Sequence, residues 1–356
     1  MIRCKGVNDK VSKLSVPKEV IGLGVNNSVA GQFSGEVGLI PQVELKLNGV
    51  KFIICELEDK DFDTRSLLRN KVMSWEENFS VITSFEVEFY LTKGGKPYDN
   101  KGYLEPIDVK ILKFLKLLRR AGIKVASAIK EDGSGQYEIA LKHDNPLKVS
   151  DEFVFLKLAA KNYFNEIGVE PNFMPKPFPN LPPSGLHLNI SLWRDGKNLF
   201  YDGGRLSDFA YNFIGGVLEH VGALSAIVAP TINSYKRLNS MGIRRGYGED
   251  RGSIIRIPND GRIEFRIPDP TANPYLVMVS TIEAGLDGVE RGLKPSVEVE
   301  LPRDLREALR ELRRDKTLVQ RVGEKVVEEF IIVKELEVEE FQNYITEWEF
   351  QTYSRL

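Results

Sequence analysis

The chain has 356 residues, 42% hydrophobic and 28% charged, enough for one large domain or two unequal ones with a full-sized core. A formal net charge of −2 excludes a general electrostatic attraction to nucleic acid or membrane, so any anionic ligand has to be held by local arginines. No segment approaches the length of a membrane span, and the polar stretch Met1 to Lys10 lacks the apolar run of a signal peptide, so a cytoplasmic enzyme or binding protein is expected.

Residues 1–62 alternate short strand-like runs with turn residues. Val7, Val11, Leu14 and Val16 lead to Pro17, and Val20 to Val25 is apolar but punctuated by Gly22 and Gly24. Val43 to Leu47 alternates, Asn48-Gly49 is a hairpin turn, and Val50 to Leu57 follows as a second strand. Cys55 lies in an apolar run and reads as core. Neither it nor Cys4 has metal-knuckle or disulfide spacing. An acidic cluster, Glu56 to Asp63, closes this region, and Asp63-Thr64 caps the helix expected over 65–78.

A strand through Phe85 to Tyr90 comes next, then a Gly/Pro/Asn-rich loop from Thr92 to Lys101. Residues 107–121 form an amphipathic helix, with Ile111, Phe114, Leu115 and Leu118 opposite Lys110, Lys113, Lys116 and Arg120. The spacing predicts further strands at 124–128 and 186–193, and two within Arg251 to Ile267 joined at Pro258-Asn259-Asp260-Gly261. Helices are predicted over 151–167 and 207–228, from Asn273-Pro274 through Leu286, and in the charged segment after Pro302. The sum is an α+β chain: a small β domain, then an antiparallel sheet flanked by helices.

The polar faces of four strands carry the chemistry. Side chains alternate across a strand, so Glu86 and Glu88 share a face, about 6–7 Å apart, opposite Phe85, Val87 and Phe89. One such pair reads most simply as a wet sheet face. The same period puts His187, Asn189 and Ser191 on one face of the 186–193 strand, Arg262, Glu264 and Arg266 on one face of the 262–267 strand, and Gln136 with Glu138 on another. Glu131 can join from the adjacent loop. A solvated face would favour Thr, Lys and Ser. Carboxylates with an imidazole suit Mg²⁺ or Mn²⁺, and arginines beside them suit phosphate oxygens, an arrangement that phosphoryl transfer needs.

Several longer stretches then resemble one family. Gly135-Gln136-Tyr137-Glu138-Ile139, Phe173-Met174-Pro175-Lys176-Pro177, Ser184-Gly185-Leu186-His187, Asn233-Ser234-Tyr235-Lys236-Arg237, Ser253 to Pro258 and Arg262 to Leu276 are similar to glutamine synthetase, in order, from about residue 35 to the end. The resemblance implies an N-terminal β-grasp domain over 1–64 and a catalytic domain over 65–356 with a curved antiparallel sheet flanked by helices. It implies a ring-shaped homo-oligomer with sites between neighbouring subunits. It implies Glu88, Glu131 and Glu138 as ligands of one divalent ion and Glu86, His187 and Glu264 as ligands of a second, nearer the ATP phosphates. Arg251 and Arg256 match arginines on the phosphates, Arg262 and Ser191 nucleotide-side contacts, and Arg237 and Arg266 arginines around the amino-acid substrate and its transferring phosphate. Arg237, Arg251 and Arg266 are thus the expected catalytic side chains. The implied reaction phosphorylates the γ-carboxylate of glutamate with ATP and displaces the phosphate with an amine.

The chain also departs from the family pattern. An Asn-Gly pair that helps hold the glutamate amino end is Pro182-Pro183 here, the second His of a His-x-His is Asn189, and the latch Asp is replaced near Leu23 to Asn27. The loop after Arg237 lacks the Pro-Gly-Tyr-Glu whose acid assists ammonium deprotonation. Glu249 is a displaced substitute at best. Three readings follow: a ligase for glutamate or a related acid with an amine other than ammonium, a non-catalytic relative that binds ATP and metal to regulate a partner, and a glutamine synthetase using Glu249. His220 and His143 read as packing or surface histidines, and Trp75, Trp193 and Trp348 as core or interface.

Overall fold

A computed structural model of the protein describes residues 14–17, 36–47, 50–99, 107–258 and 261–356. Strands β1 (Leu14–Pro17), β2 (Glu36–Leu47) and β3 (Val50–Leu57) form an antiparallel sheet in the order β1-β2-β3. The register Leu47↔Val50 leaves two residues between the strands, as the hairpin reading requires, although Asn48 and Gly49 lie outside the described residues. So do Cys4, the Val20 to Val25 run and the latch region Leu23 to Asn27. Cys55 is half-buried, because alternation turns Phe52 and Ile54 inward and Cys55 away from them.

Helix α1 (Thr64–Glu76) starts where Asp63 accepts the Ser66 amide hydrogen at 2.5 Å. Strand β4 (Ser80–Lys93) follows, then β5 (Lys96–Pro97), α2 (Val109–Arg120), β6 (Val125–Lys130) and β7 (Gln136–Leu141). Helix α3 (Pro146–Glu166) begins five residues earlier than the pattern predicts: Asn145 caps the Leu147 amide at 2.9 Å and Pro146 takes the first turn, where a missing N–H costs nothing. The chain continues through β8 (Glu170–Asn172), β9 (Leu186–Arg194), β10 (Lys197–Asn198), β11 (Tyr201–Asp202) and β12 (Arg205–Leu206). After helices α4 (Asp208–Glu219), α5 (Val221–Val228) and α6 (Ile232–Leu238) come β13 (Arg245–Gly248), β14 (Ser253–Arg256) and β15 (Ile263–Phe265). Helices α7 (Pro274–Arg291), α8 (Leu305–Arg314), α9 (Lys316–Val322), α10 (Glu324–Asn343) and α11 (Glu347–Tyr353) close the order.

The main sheet runs β13-β14-β15-β9-β4-β7-β6, with short β10, β5 and β8 at its margins. All its pairs are antiparallel except β13 with β14. That parallel pair departs from the expected sheet. Its outer strand has four residues, two of them glycine, and so shows no alternation to read. One face of β4 buries Phe85, Val87, Phe89 and Leu91 against α3, where Phe85 meets Phe153 at 5.5 Å and Phe89 meets Phe164 at 6.4 Å. The helices therefore cover the apolar face and leave Glu86, Glu88 and Tyr90 on the other.

Helix α7 is the inner helix: every residue from Pro274 to Gly288 is buried, the carboxylates Glu283 and Asp287 included. It meets α4 through glycines. A Cβ on Gly216 would lie 2.2 Å from the Ala284 carbonyl oxygen, and one on Gly288 2.2 Å from that of Asn212. Only glycine lets the two backbones approach this closely. Among the described residues no single helix is long and apolar enough to cross a membrane. The pair α4–α5 passes that test by composition alone, and its apolar residues are buried in the core.

The helix expected over 207–228 is in fact α4 and α5, bent by 73° at His220. His220 is buried and bridges two carboxylates, Nδ1 to Asp315 at 2.6 Å and Nε2 to Asp287 at 3.0 Å. Arg291 and Arg321 reach Asp287 from the other side, at 2.8 and 4.0 Å. Burial opposes the ring's charge, but the hydrogen bonds and charges of Asp315 and Asp287 outweigh it and raise the His220 pKa. A folded pKa above the unfolded value of about 6.5 adds stability that is fully present below that pH and fades as pH rises through the folded pKa. The gap in urea midpoint between the wild type and His220→Asn is therefore expected to narrow as pH rises above about 6.5. An unchanged gap would show that the neutral ring does the holding.

Candidate active site

Strand register assembles the polar face. Glu86 lies opposite His187 across β4 and β9, Glu88 opposite Glu138 across β4 and β7, and Glu264 opposite both Asn189 on β9 and Arg256 on β14. Glu86 and His187, 101 positions apart, thus become neighbours by pairing alone. His187 Nδ1 stands 3.4 Å from Glu86 Oε2 and 3.6 Å from Glu264 Oε1, and its Nε2 stands 3.6 Å from Glu88 Oε1.

Two groups of side chains have ligand atoms within 4.8 Å of one another: Glu86, His187 and Glu264, and Glu88, Glu138 and His187. The first is the set expected from sequence. In the second His187 appears where Glu131 was expected. Glu131 stays close enough to matter electrically, since burial and then the Glu88 charge raise its pKa. The donor set fits a hard divalent cation. Burial first, then Glu86, Glu88, Glu131 and Glu264, push the Glu138 carboxyl up to about 9, the mark of crowded negative charge with little to balance it. Glu86 behaves oppositely: burial raises it, but hydrogen bonds with His187 and Asn189 and the charges of His187 and Arg262 bring it down to about 2.

The arginines divide. Arg256 Nη1 donates to Glu264 Oε2 at 2.9 Å and its Nε to the Glu249 carbonyl at 3.2 Å. Arg266 Nη1 donates to Glu264 Oε1, while its buried Nε has no partner among the described residues. Arg262 Nε donates to Asn189 Oδ1 at 2.8 Å, and Asn189 Nδ2 donates to Glu86 Oε1 at 3.1 Å. Arg251 is exposed, and its charge reaches Glu131. Ser191 lies on the same face of β9, accepting from Trp193 Nε1 at 2.9 Å.

Arg237 comes from helix α6 to the cluster's edge: a Cβ on Gly185 would meet both His187 Nε2, at 2.5 Å, and Arg237 Nη2, at 2.8 Å. It is 1% exposed and donates to the Ile267 carbonyl at 2.5 Å and the Arg266 carbonyl at 2.8 Å. His143 is exposed, Trp75 is core with its Nε1 on Glu283, and Trp348 is exposed. Sequence reasoning gave Asn189 no task, yet it links Glu86 to Arg262. It missed the amide of Gly185, which donates to Glu88 Oε2 at 2.7 Å. The period-2 face of β9 was the signal for Asn189. A backbone amide leaves none.

A family model for the glutamine synthetase catalytic domain matches residues 61–353. The chain belongs to the glutamine synthetase family. It is 35% identical to the glutamine synthetase of Methanococcus voltae over 85% of this chain and 78% of that one, and 34% identical to that of Thermococcus kodakarensis over 82% and 76%. A solved structure described as apo GmaS superposes with a TM-score of 0.84 at 27% identity, over 96% of this chain and 90% of that one. A GmaS/ADP complex superposes at 0.82 with 29% identity, over 92% and 87%. Plasmodium falciparum glutamine synthetase, at 21% identity and a TM-score of 0.82 over 96% and 90%, shares the fold. The family is one of ATP-dependent ligases that use divalent Mg²⁺ or Mn²⁺.

Proposed function

We propose that this chain is an ATP-dependent carboxylate–amine ligase that phosphorylates the side carboxylate of glutamate or a related acid and forms an amide, with an amine other than ammonium. The observation that carries this is the pair of three-ligand groups sharing His187, with Arg256 and Arg266 on Glu264. Glu86, His187 and Glu264 would hold one divalent ion, and Glu88 and Glu138, with Glu131 beside them, a second. Such ions supply charge neutralisation at the transferring phosphoryl group. Arg256 and exposed Arg251 would fork onto phosphate oxygens, Arg262 and Ser191 would border the nucleotide, and Arg266 would orient Glu264. Buried Arg237 would brace the backbone at 266–267 at the cluster's edge.

In the first step a carboxylate oxygen attacks the γ-phosphorus and the bond to the ADP oxygen breaks. In the second the amine nitrogen attacks the acyl carbon, phosphate leaves, and the nitrogen gives up a proton. The loop after Arg237, without the Pro-Gly-Tyr-Glu carboxylate, favours an organic amine, which brings its own binding energy where ammonium needs a carboxylate to attract it. The same family membership supports a β-grasp unit over 1–64, a catalytic domain over 65–356 and a ring-shaped oligomer. The first accords with the three-stranded sheet β1–β3. The last accords with a C-terminal segment in which Tyr344, Ile345, Trp348, Phe350, Tyr353 and Leu356 are all more than half exposed.

One observation favours a second reading. The Glu249 backbone carbonyl accepts from Arg256, whose Nη1 donates to Glu264, so the Glu249 backbone lies one guanidinium from Glu264 and its carboxylate could serve as the base that deprotonates ammonium. Purified protein incubated with ATP, Mg²⁺, glutamate and a panel of amines is expected to release phosphate and yield an amide of the matching mass. Turnover with ammonium that Glu249→Ala abolishes would establish the second reading. ATP binding without turnover for any amine would leave a regulatory, non-catalytic relative.

A further inference from the structure

The hairpin that follows β4 reverses on two glycines. Thr92 pairs with Pro97 and Lys93 with Lys96, so Gly94 and Gly95 make the turn, with φ of 57° and 72°. Two successive positive φ values suit the twist of a tight hairpin, and glycine adopts them without strain. The returning strand is pinned where the Tyr98 amide donates to the Leu91 carbonyl at 2.8 Å. Asp99, the next residue, is thereby delivered to the turn between β6 and β7, which carries Glu131.

Three donors converge on the Asp99 carboxylate there. Oδ1 accepts from the Gly135 amide at 3.0 Å and from Lys130 Nζ at 2.9 Å, and Oδ2 accepts from the Tyr137 hydroxyl at 3.0 Å. Lys130 immediately precedes Glu131, Tyr137 immediately precedes Glu138, and Gly135 lies between. One carboxylate thus straps both ends of the turn. Lys130 is buried, its ammonium 4.4 Å from the centre of the Tyr137 ring. Gly135 has a φ of 74°, and a Cβ on it would lie 2.9 Å from the Leu91 carbonyl oxygen. Glycine is what lets the turn meet the hairpin.

The two carboxylates need this strap unequally. Strand β7 pairs with β4 on one side and β6 on the other, so Glu138 is fixed by register. Glu131 lies past the end of β6, on the turn itself. Glu88 and Asp132 repel its carboxylate, while Arg251 and His187 attract it. With charges of both signs in reach, the backbone of the turn decides where Glu131 rests.

We propose that Asp99 is a positioning residue for the second divalent ion, holding the turn 131–135 so that Glu131 stands beside Glu88 and Glu138 before the ion arrives. The inference rests on the two-ion reading and adds a residue that touches neither ion nor substrate. Without the strap, ion binding has to order the turn first, and that cost appears as weaker binding. The site of Glu86, His187 and Glu264 takes no ligand from the turn and serves as an internal control.

The test titrates Mn²⁺ into the full-length protein and reads free Mn²⁺ by its paramagnetic resonance signal, which separates sites by affinity. The wild type is expected to bind two ions, and Glu131→Gln is expected to weaken one of them, which identifies its site. Asp99→Asn, of the same shape without the charge, is expected to weaken that site by about tenfold and leave the other unchanged. Tyr137→Phe removes one of the three donors and is expected to act on the same site by a smaller factor. It carries the test if Asp99→Asn fails to fold, as thermal melting would show. Added to Glu131→Gln, Asp99→Asn is expected to cost no further affinity, because the strap acts through Glu131. Equal weakening of both sites, weakening of neither, or a full further loss in the Glu131→Gln background makes Asp99 merely structural and overturns the proposal. So does Glu131→Gln with both sites intact. A wild type that binds fewer than two ions sinks the two-ion reading and this proposal together. Two sites unmoved by Asp99→Asn sink the proposal alone.

Discussion

His187→Ala is expected to lower turnover by about 10³-fold, the loss of ~4 kcal/mol of charge stabilisation at the phosphoryl group. His187 is the one side chain shared by both ligand groups, 3.4 Å from Glu86, 3.6 Å from Glu88 and 3.6 Å from Glu264. Removing it empties a corner of each. The loss should appear in Mg²⁺-dependent ATP binding by calorimetry as well as in phosphate release. ATP binding that keeps its Mg²⁺ dependence would sink the assignment of this face as a metal site. Glu138→Gln should separate metal binding from stability. Four other carboxylates repel Glu138 and burial disfavours its charge, so the metal-free variant should melt higher than the wild type. Added Mg²⁺ should then stabilise the wild type more than the variant.

Arg65→Met is expected to destabilise the protein by ~3–5 kcal/mol, because it strands carboxylates that have no water to turn to. Arg65 is 7% exposed and forks onto Asp151 with Nε at 2.9 Å and Nη2 at 2.8 Å, while Nη1 reaches Glu56 at 2.9 Å. Tyr275 Oη donates to the same Asp151 at 2.7 Å, and Arg69 holds Glu56 at 3.0 and 3.1 Å. One guanidinium thus joins β3, α1, α3 and α7. The measurement is the urea midpoint with the slope checked for constancy. Arg65→Met combined with Asp151→Asn should recover part of the loss, since a neutral amide is cheaper to leave buried. No recovery would mean that packing of the Arg65 stem, not its charge, is what matters.

This network was illegible in the sequence. Arg65 and Asp151 are 86 positions apart and neither interrupts its own helix pattern, so each reads as an exposed charge. His220 packs in the core, within its reading as a packing or surface histidine, but its partners Asp287 and Asp315 were illegible for the same reason, lying 67 and 95 positions away. The strands carrying the site were easier, because alternation is a local property. Glu86 with Glu88, His187 with Asn189, and Glu264 each announce a polar face within five or six residues.

Local periodicity thus determined the elements, their polar faces and the kind of chemistry those faces hold, and longer motifs determined the family. Two residues on one strand face keep their spacing whatever the rest of the chain does. Pairing register decided the remainder. It set His187 between Glu86, Glu88 and Glu264 and brought Tyr90 and Gln136 onto the carbonyls of Pro182 and Pro183. Hydrogen bonds between distant strands fix those distances, and no spacing within a single strand encodes them.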